Sequence, residues 1–174
     1  MKRFATVTGL ALAFAVFGLN RCAAADKPSA DDVKFLKEAA SGGMLEVKLG
    51  ELASKRAHIP AVRKFGDRMV SDHSKANKQL MDLADRKGLK IPKELNKKDQ
   101  DMMNRLKDLK DNEFDVVYMK EMVKDHENDV KEFADEAKKA SDPDVRDFAA
   151  KTLPTLKEHL EMARETAAKV DRNR

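Results

Sequence analysis

From residue 31 onward, apolar positions return every third or fourth residue in four long stretches. Phe35, Ala39, Gly42, Glu46, Leu49 and Ala53 share the first stripe, and Val62, Phe65, Met69, His73, Ala76, Leu80 and Leu83 the second. Val116, Met119, Val123, His126, Val130, Phe133 and Ala137 form the third, and Val145, Ala149, Thr152, Leu156, His159 and Ala163 the fourth. This is the helical period, so each stretch predicts an amphipathic helix with one face turned inward. Ser29, with Asp32 three residues later, is an N-cap pair that starts the first helix, 31–57. Pro60 opens the second, 60–87, and Gly88 closes it. The segment 88–96, containing Pro92, is the longest expected non-helical stretch. A short helix over 97–109 follows, with Met102, Met103 and Leu106 apolar. Asn112 is the expected cap of the third long helix, 113–140, and Ser141-Asp142-Pro143-Asp144 starts the fourth, 143–170. Pro154 lies inside that last helix and is expected to kink it and free the carbonyl of Ala150. Residues 171–174 read as a fraying tail.

A fainter pattern sets the topology. Pro60-x-Val62-Arg63-x-Phe65 recurs as Pro143-x-Val145-Arg146-x-Phe148, an offset of 83. The first two long helices therefore resemble the last two as a pair of αα-hairpins. Two hairpins joined by a crossover with its own short helix give an all-α, ferritin-like four-helix bundle over 31–170. Gly43 and Gly50 lie a heptad apart in the first helix, where each costs about 1 kcal/mol against Ala, which points to close approach by a neighbouring helix.

Three of the four histidines interrupt these apolar stripes. Met69-Val70-Ser71-Asp72-His73 recurs as Met122-Val123-Lys124-Asp125-His126, at an offset of 53 that does not match the hairpin repeat. Glu46, His73, His126 and His159 each fall on the inner stripe of a different helix, so a bundle core can collect one carboxylate and three imidazoles. That set suits a divalent ion such as zinc, iron or manganese. Asp72, Asp125, Glu127 and Glu158 stand close enough in sequence to orient the rings. Met69 and Met122 precede a histidine by four and Met162 follows one by three, so thioether with imidazole, a copper(I) donor set, is a second option. The bland alternative makes the methionines core filler and the histidines a buried hydrogen-bond network with those carboxylates, joined by Asn77. Convergence decides between them. Imidazole nitrogens within about 5 Å of one another can share an ion, whereas rings at different levels cannot. The mismatch between the two offsets leaves different levels open as an outcome. His58, at a helix break, reads as a solvated loop residue.

Composition narrows the rest. Met1-Lys2-Arg3, an apolar run from Phe4 to Leu19 and Ala23-Ala24-Ala25 match a secretory signal peptide over 1–25, with residues 26–30 as a short leader. The run is shorter than a membrane span. Leu19-Asn20-Arg21-Cys22 partly matches a lipoprotein cleavage site, but Arg21 stands where a small residue is needed. Cleavage after Ala25 discards the single cysteine and leaves a chain with no thiol, no disulfide and no transmembrane segment. It also removes Lys2, Arg3 and Arg21, so 32 basic residues face 31 acidic ones and nothing points to a nucleic-acid partner. The expected location is outside the cytoplasm, in the periplasm or at the outer membrane, where the partner is a second copy or an envelope protein. No nucleophile with a base and orienter, and no Gly-rich phosphate loop, is present, so binding is expected rather than turnover.

The chain resembles a bacterial family known as domain of unknown function 4142. The resemblance rests on Phe35 with Ala39-Ala40-x-Gly42-Gly43-Met44-x-Glu46-x-x-Leu49-Gly50, and on Met69-Val70-x-Asp72-His73-x-Lys75-Ala76-Asn77. It continues through Asp125-His126-Glu127 and Leu153-Pro154-x-Leu156-x-x-His159-Leu160, so it covers nearly all of 31–168. The resemblance implies an exported protein with a ferritin-like helical bundle, of the kind commonly labelled an outer-membrane protein. It carries over no activity. The chain departs from the di-iron pattern of ferritin-like proteins, which needs Glu-x-x-His on two helices. Val70 and Leu156 stand three residues before His73 and His159, so oxidative di-iron chemistry is disfavoured.

Overall fold

The computed structural model describes residues 27–172, which form five helices and no strand. These are α1 (Ala30–Arg56), α2 (Pro60–Arg86), α3 (Lys97–Asp108), α4 (Asp111–Lys139) and α5 (Pro143–Arg172). The expected signal peptide and Cys22 lie outside the described residues. α1 packs along α2 and α4 along α5, giving two hairpins that meet chiefly through α2 and α5. The α1–α4 seam is looser, and α3 leans against α1 beside it. None of the described helices is long and apolar enough to cross a membrane.

The helix starts show that the 83-residue repeat is structural. Ser29 and Asp32 form the expected reciprocal capping box. Asp32 is almost fully buried because it also reaches the α4–α5 turn, accepting from the Ser141 and Asp142 amides at 3.1 and 3.0 Å. Those bonds, with one from the Ser141 hydroxyl, outweigh the upward push of burial and lower its pKa to about 2. Asp115 of α4 does the same for the α1–α2 turn, accepting from the His58 and Ile59 amides at 3.1 and 2.7 Å. That matters because α2 has no side-chain cap of its own. Arg63 and Arg146 complete the match, each donating to the last carbonyl before its turn, Ala57 and Ala140, at 2.6 Å. The two hairpins are therefore cross-tied, with the first turn of each capping the bend of the other.

Two predicted details change. Asn112 does not cap α4: the amides of Glu113 and Phe114 already bond to the Lys110 carbonyl, which starts the helix at Asp111 and leaves Asn112 exposed in its first turn. The last helix continues through Pro154 as far as Arg172, past the expected end at 170. The glycine expectation holds, with an unforeseen partner. A Cβ on Gly50 would stand 2.7 Å from the Gly66 carbonyl oxygen, and one on Gly66 would stand 2.7 Å from that of Gly50. The α1–α2 crossing is thus backbone on backbone. At Gly43 the space is filled by the Asn77 side chain instead.

The core has two apolar clusters. One, around Leu49, Phe65, Met69, Tyr118 and Met122, lies toward the α1–α2 turn. The other, around Phe35, Leu80, Phe133, Phe148 and Leu156, lies toward the α4–α5 turn. Along α2, α4 and α5 the boundary between them falls at His73, His126 and His159.

Candidate metal centre

Each histidine enters this boundary from its own helix, and none has more than a few per cent of its surface exposed. The ring centroids of His73, His126 and His159 are separated by 5.7, 5.2 and 5.4 Å. One nitrogen from each ring lies within 4.8 Å of the other two. Convergence thus holds despite the mismatched offsets, because the three rings are not related by the repeat.

Two of the rings are held in defined tautomers. His126 donates from Nδ1 to the Met122 carbonyl at 2.8 Å, which leaves the Nε2 lone pair free. His159 donates from Nε2 to Asp72 Oδ2 at 2.9 Å, which leaves Nδ1 free. Asp72 is in turn held by Arg68. Nε2 of His73, Nε2 of His126 and Nδ1 of His159 are all buried with no hydrogen-bond partner. A ring fixed from behind by a carboxylate or carbonyl, with its other nitrogen bare, is how a metal-binding histidine is set up. Metal–nitrogen bonds of 2.0–2.1 Å need nitrogens roughly 3.3–3.6 Å apart, so closing on an ion requires about 1 Å of movement from the present limit.

The electrostatics keep the rings neutral. Burial pushes the His73 pKa well below 6.5, helped by the neighbouring His126 and His159. Burial lowers His126 to about 4, against the pull of the Met122 carbonyl. Burial also lowers His159, only partly opposed by Asp72. Burial raises Asp72, but bonds from His159 and Arg68 outweigh it and leave the carboxylate below its ordinary range. The result is a cluster of bare neutral bases, the form that ligates metal.

The remaining candidates fall outside the trio. Glu46 is fully buried with neither oxygen hydrogen-bonded. Its carboxyl lies 3.8 Å from His126 Nδ1, on the ring edge turned to Met122 rather than the bare one. Burial raises its pKa strongly, and the charges of Asp125 and Asp129 add to this. Met69 and Met122 are buried in the apolar cluster and Met162 packs half-buried against it. Glu127 pairs with Arg164 at 2.9 Å and Glu158 with Arg68 at 3.4 Å, both on the exposed surface. His58 is exposed, as expected. A carboxylate partner of the kind the network alternative requires is present for one histidine, His159.

Sequence reasoning missed Asp99 and Asp129. Asp99 is buried on α3 and accepts from the Ser41 hydroxyl at 2.5 Å, tying α3 to α1. Asp129 lines a cleft of about 250 Å³ that also includes Asp125 and His73. Burial, with Asp125 and Glu132 nearby, raises its pKa well above the usual carboxylate range. The repeat was the available signal, since Asp129 stands 83 residues after Glu46.

Comparison with known proteins agrees with the fold. A solved structure, the crystal structure of a DUF305 fragment from Deinococcus radiodurans, superposes with a TM-score of 0.71 at 13% identity, covering 83% of this chain and 99% of that one. At that identity the likeness speaks for the helical fold alone. No curated protein matches the sequence. The family described as "Domain of unknown function (DUF4142)" matches residues 19–166, and the chain belongs to it.

Proposed function

We propose that this protein is an exported, ferritin-like four-helix bundle that binds one first-row transition ion between His73, His126 and His159, for metal handling or protection rather than turnover. The reading is carried by three buried histidines that bring one nitrogen each within 4.8 Å of the others, every ring having a buried nitrogen without a hydrogen-bond partner. Leaving a buried polar atom unsatisfied costs about 1–3 kcal/mol, and a purely structural network would leave three such atoms in one place. The hydrogen bond from His159 to Asp72 is what a structural network would also use, but it satisfies only the far nitrogen. Three nitrogen donors suit zinc, copper or iron, and suit manganese, which favours oxygen, least. A tetrahedral ion keeps its fourth position for water or a further ligand. The N-terminal pattern from Met1 to Ala25 supports export.

The test uses chelator-stripped protein spanning residues 26–174 and zinc(II), iron(II), manganese(II) or copper(I) in turn. At 100 times Kd an ion that binds only the folded state stabilises it by about 2.7 kcal/mol, which raises Tm by roughly 5–10 °C in a chain of this size. His73→Ala, His126→Ala and His159→Ala should each remove that shift. A wild-type protein that no ion stabilises overturns the proposal.

A further inference from the structure

The 83-residue repeat gives each member of the trio a partner position in the other half of the fold. His126 corresponds to Gly43, His159 to Ala76, and His73 to Leu156. Gly43, Ala76 and Leu156 all line the 250 Å³ cleft. The cleft is therefore the counterpart of the imidazole cluster, with Ala76 at the position of one ring and Gly43, whose space the Asn77 side chain takes, at that of another. The two halves share a wall, because His73 also lines the cleft. Its ring is 6% exposed and its Nε2 has no partner.

The cleft is strongly acidic. Glu38, Asp99, Asp125, Asp129 and Glu132 line it, and Lys98 is the single basic residue among its lining. Glu38, Lys98 and Glu132 are exposed at the mouth, whereas Asp125 and Asp129 are half-buried deeper in. Glu46 stands behind them, fully buried, where the charges of Asp125 and Asp129 act on its carboxyl. These carboxylates do not come close enough to one another to form a second ligand cluster like the trio; among the described residues only the three histidines do. An acidic space of this volume with spread carboxylates suits a cation that still carries its water. Six waters at about 30 Å³ each take roughly 180 Å³, which the cleft accommodates.

We propose that this acidic cleft is the port through which the ion reaches the three imidazoles: its carboxylates hold the hydrated cation, and His73, shared by both halves, is the first ring to displace a water. The proposal rests on the metal reading above and adds its route. Charge focused in a cleft of one sign raises association rates and does so less as salt rises. The ion is steered by the exposed Glu38 and Glu132 at the mouth and dehydrated at His73.

The experiment follows cobalt(II) uptake by stripped protein in a stopped-flow spectrometer, through the visible absorption that develops on nitrogen ligation. The Glu38→Gln, Glu132→Gln double variant should take up cobalt about ten-fold more slowly than wild type at low ionic strength. High salt should shrink that gap, and the final stoichiometry should stay at one ion. Gly42→Leu tests the path without changing charge. A Cβ at Gly42 meets nothing within 4 Å and the residue lines the cleft, so the side chain enters open space and blocks it. Uptake should then slow at every salt concentration. Glu165→Gln, an exposed carboxylate on α5 that does not line the cleft, should leave the rate unchanged. Wild-type rates in both cleft variants, with one ion still bound, overturn the port and leave the trio standing. A wild-type protein that takes up no cobalt, zinc or copper overturns the trio and the port together.

Discussion

Acid should reveal the neutral histidines directly. Burial lowers the His126 pKa from 6.5 to about 4. In the unfolded chain the ring binds a proton below 6.5, whereas the folded protein refuses it until about 4. Stability from this group is therefore complete above pH 6.5 and is lost as pH falls toward 4, at about 1.4 kcal/mol per pH unit. The full loss is about 3 kcal/mol. Other groups titrate in the same window, Glu46 among them and with the opposite sign. The readout is accordingly a difference: urea unfolding of metal-free wild type and of His126→Gln, from pH 7.5 to 4. Gln can still donate to the Met122 carbonyl but carries no titrating base. Between pH 7 and pH 4 the advantage of wild type over the variant should shrink by about 3 kcal/mol, a relative midpoint shift of roughly 1.5 M urea at a typical m-value. Parallel pH profiles for the two proteins would mean that His126 is not held neutral in the core, and the account of the trio as bare bases would fail.

Other consequences concern the scaffold and its charges. Gly66→Ala brings a methyl within 2.7 Å of the Gly50 carbonyl oxygen, so the helices must part; circular dichroism melts should show a loss of about 1–3 kcal/mol despite alanine's better helix propensity. Asp115→Ala removes both caps from the α1–α2 turn and should cost about 2–4 kcal/mol, with Asp32→Ala comparable at the other turn. A loss under 0.5 kcal/mol in both would refute the cross-tie. Glu46 is a buried acid whose pKa is raised by burial, so its unfavourable contribution appears above its unfolded pKa of 4.5 and grows as pH rises. Glu46→Gln should raise the Tm of metal-free protein at pH 8 and lose that advantage below pH 4.5. An unchanged Tm at pH 8 would show that the buried carboxyl carries no penalty.

The helices and the inner faces of the histidines were legible because burial imposes the 3.6-residue period on the sequence. Phe65, Met69, His73 and Leu80 announce their face by spacing alone. Whether the three rings met was not legible from spacing. Their level depends on how far each helix slides past its neighbour, and this is fixed by contacts such as the Gly50–Gly66 crossing, which leaves little mark on the hydrophobic pattern. Asp32 was legible as the capping partner of Ser29 but not as the cap of a distant turn, and Asp115 not at all; a carboxylate that caps a turn some 60 to 110 residues away gives no local signal. The repeat did contain the information. The same offset of 83 that pairs Pro60 with Pro143 pairs Asp32 with Asp115, Glu46 with Asp129, and His126 and His159 with Gly43 and Ala76 of the cleft. Asn112 misled for the opposite reason, being a good cap residue placed one position inside a helix that the backbone had already started.

The most direct test of the central claim is anomalous diffraction from a crystal of zinc-loaded protein, recorded on both sides of the zinc absorption edge. The account predicts one anomalous peak per chain, about 2.0–2.1 Å from Nε2 of His73, Nε2 of His126 and Nδ1 of His159. An anomalous map with no peak between the three rings, or with its only peaks on surface carboxylates, would contradict it.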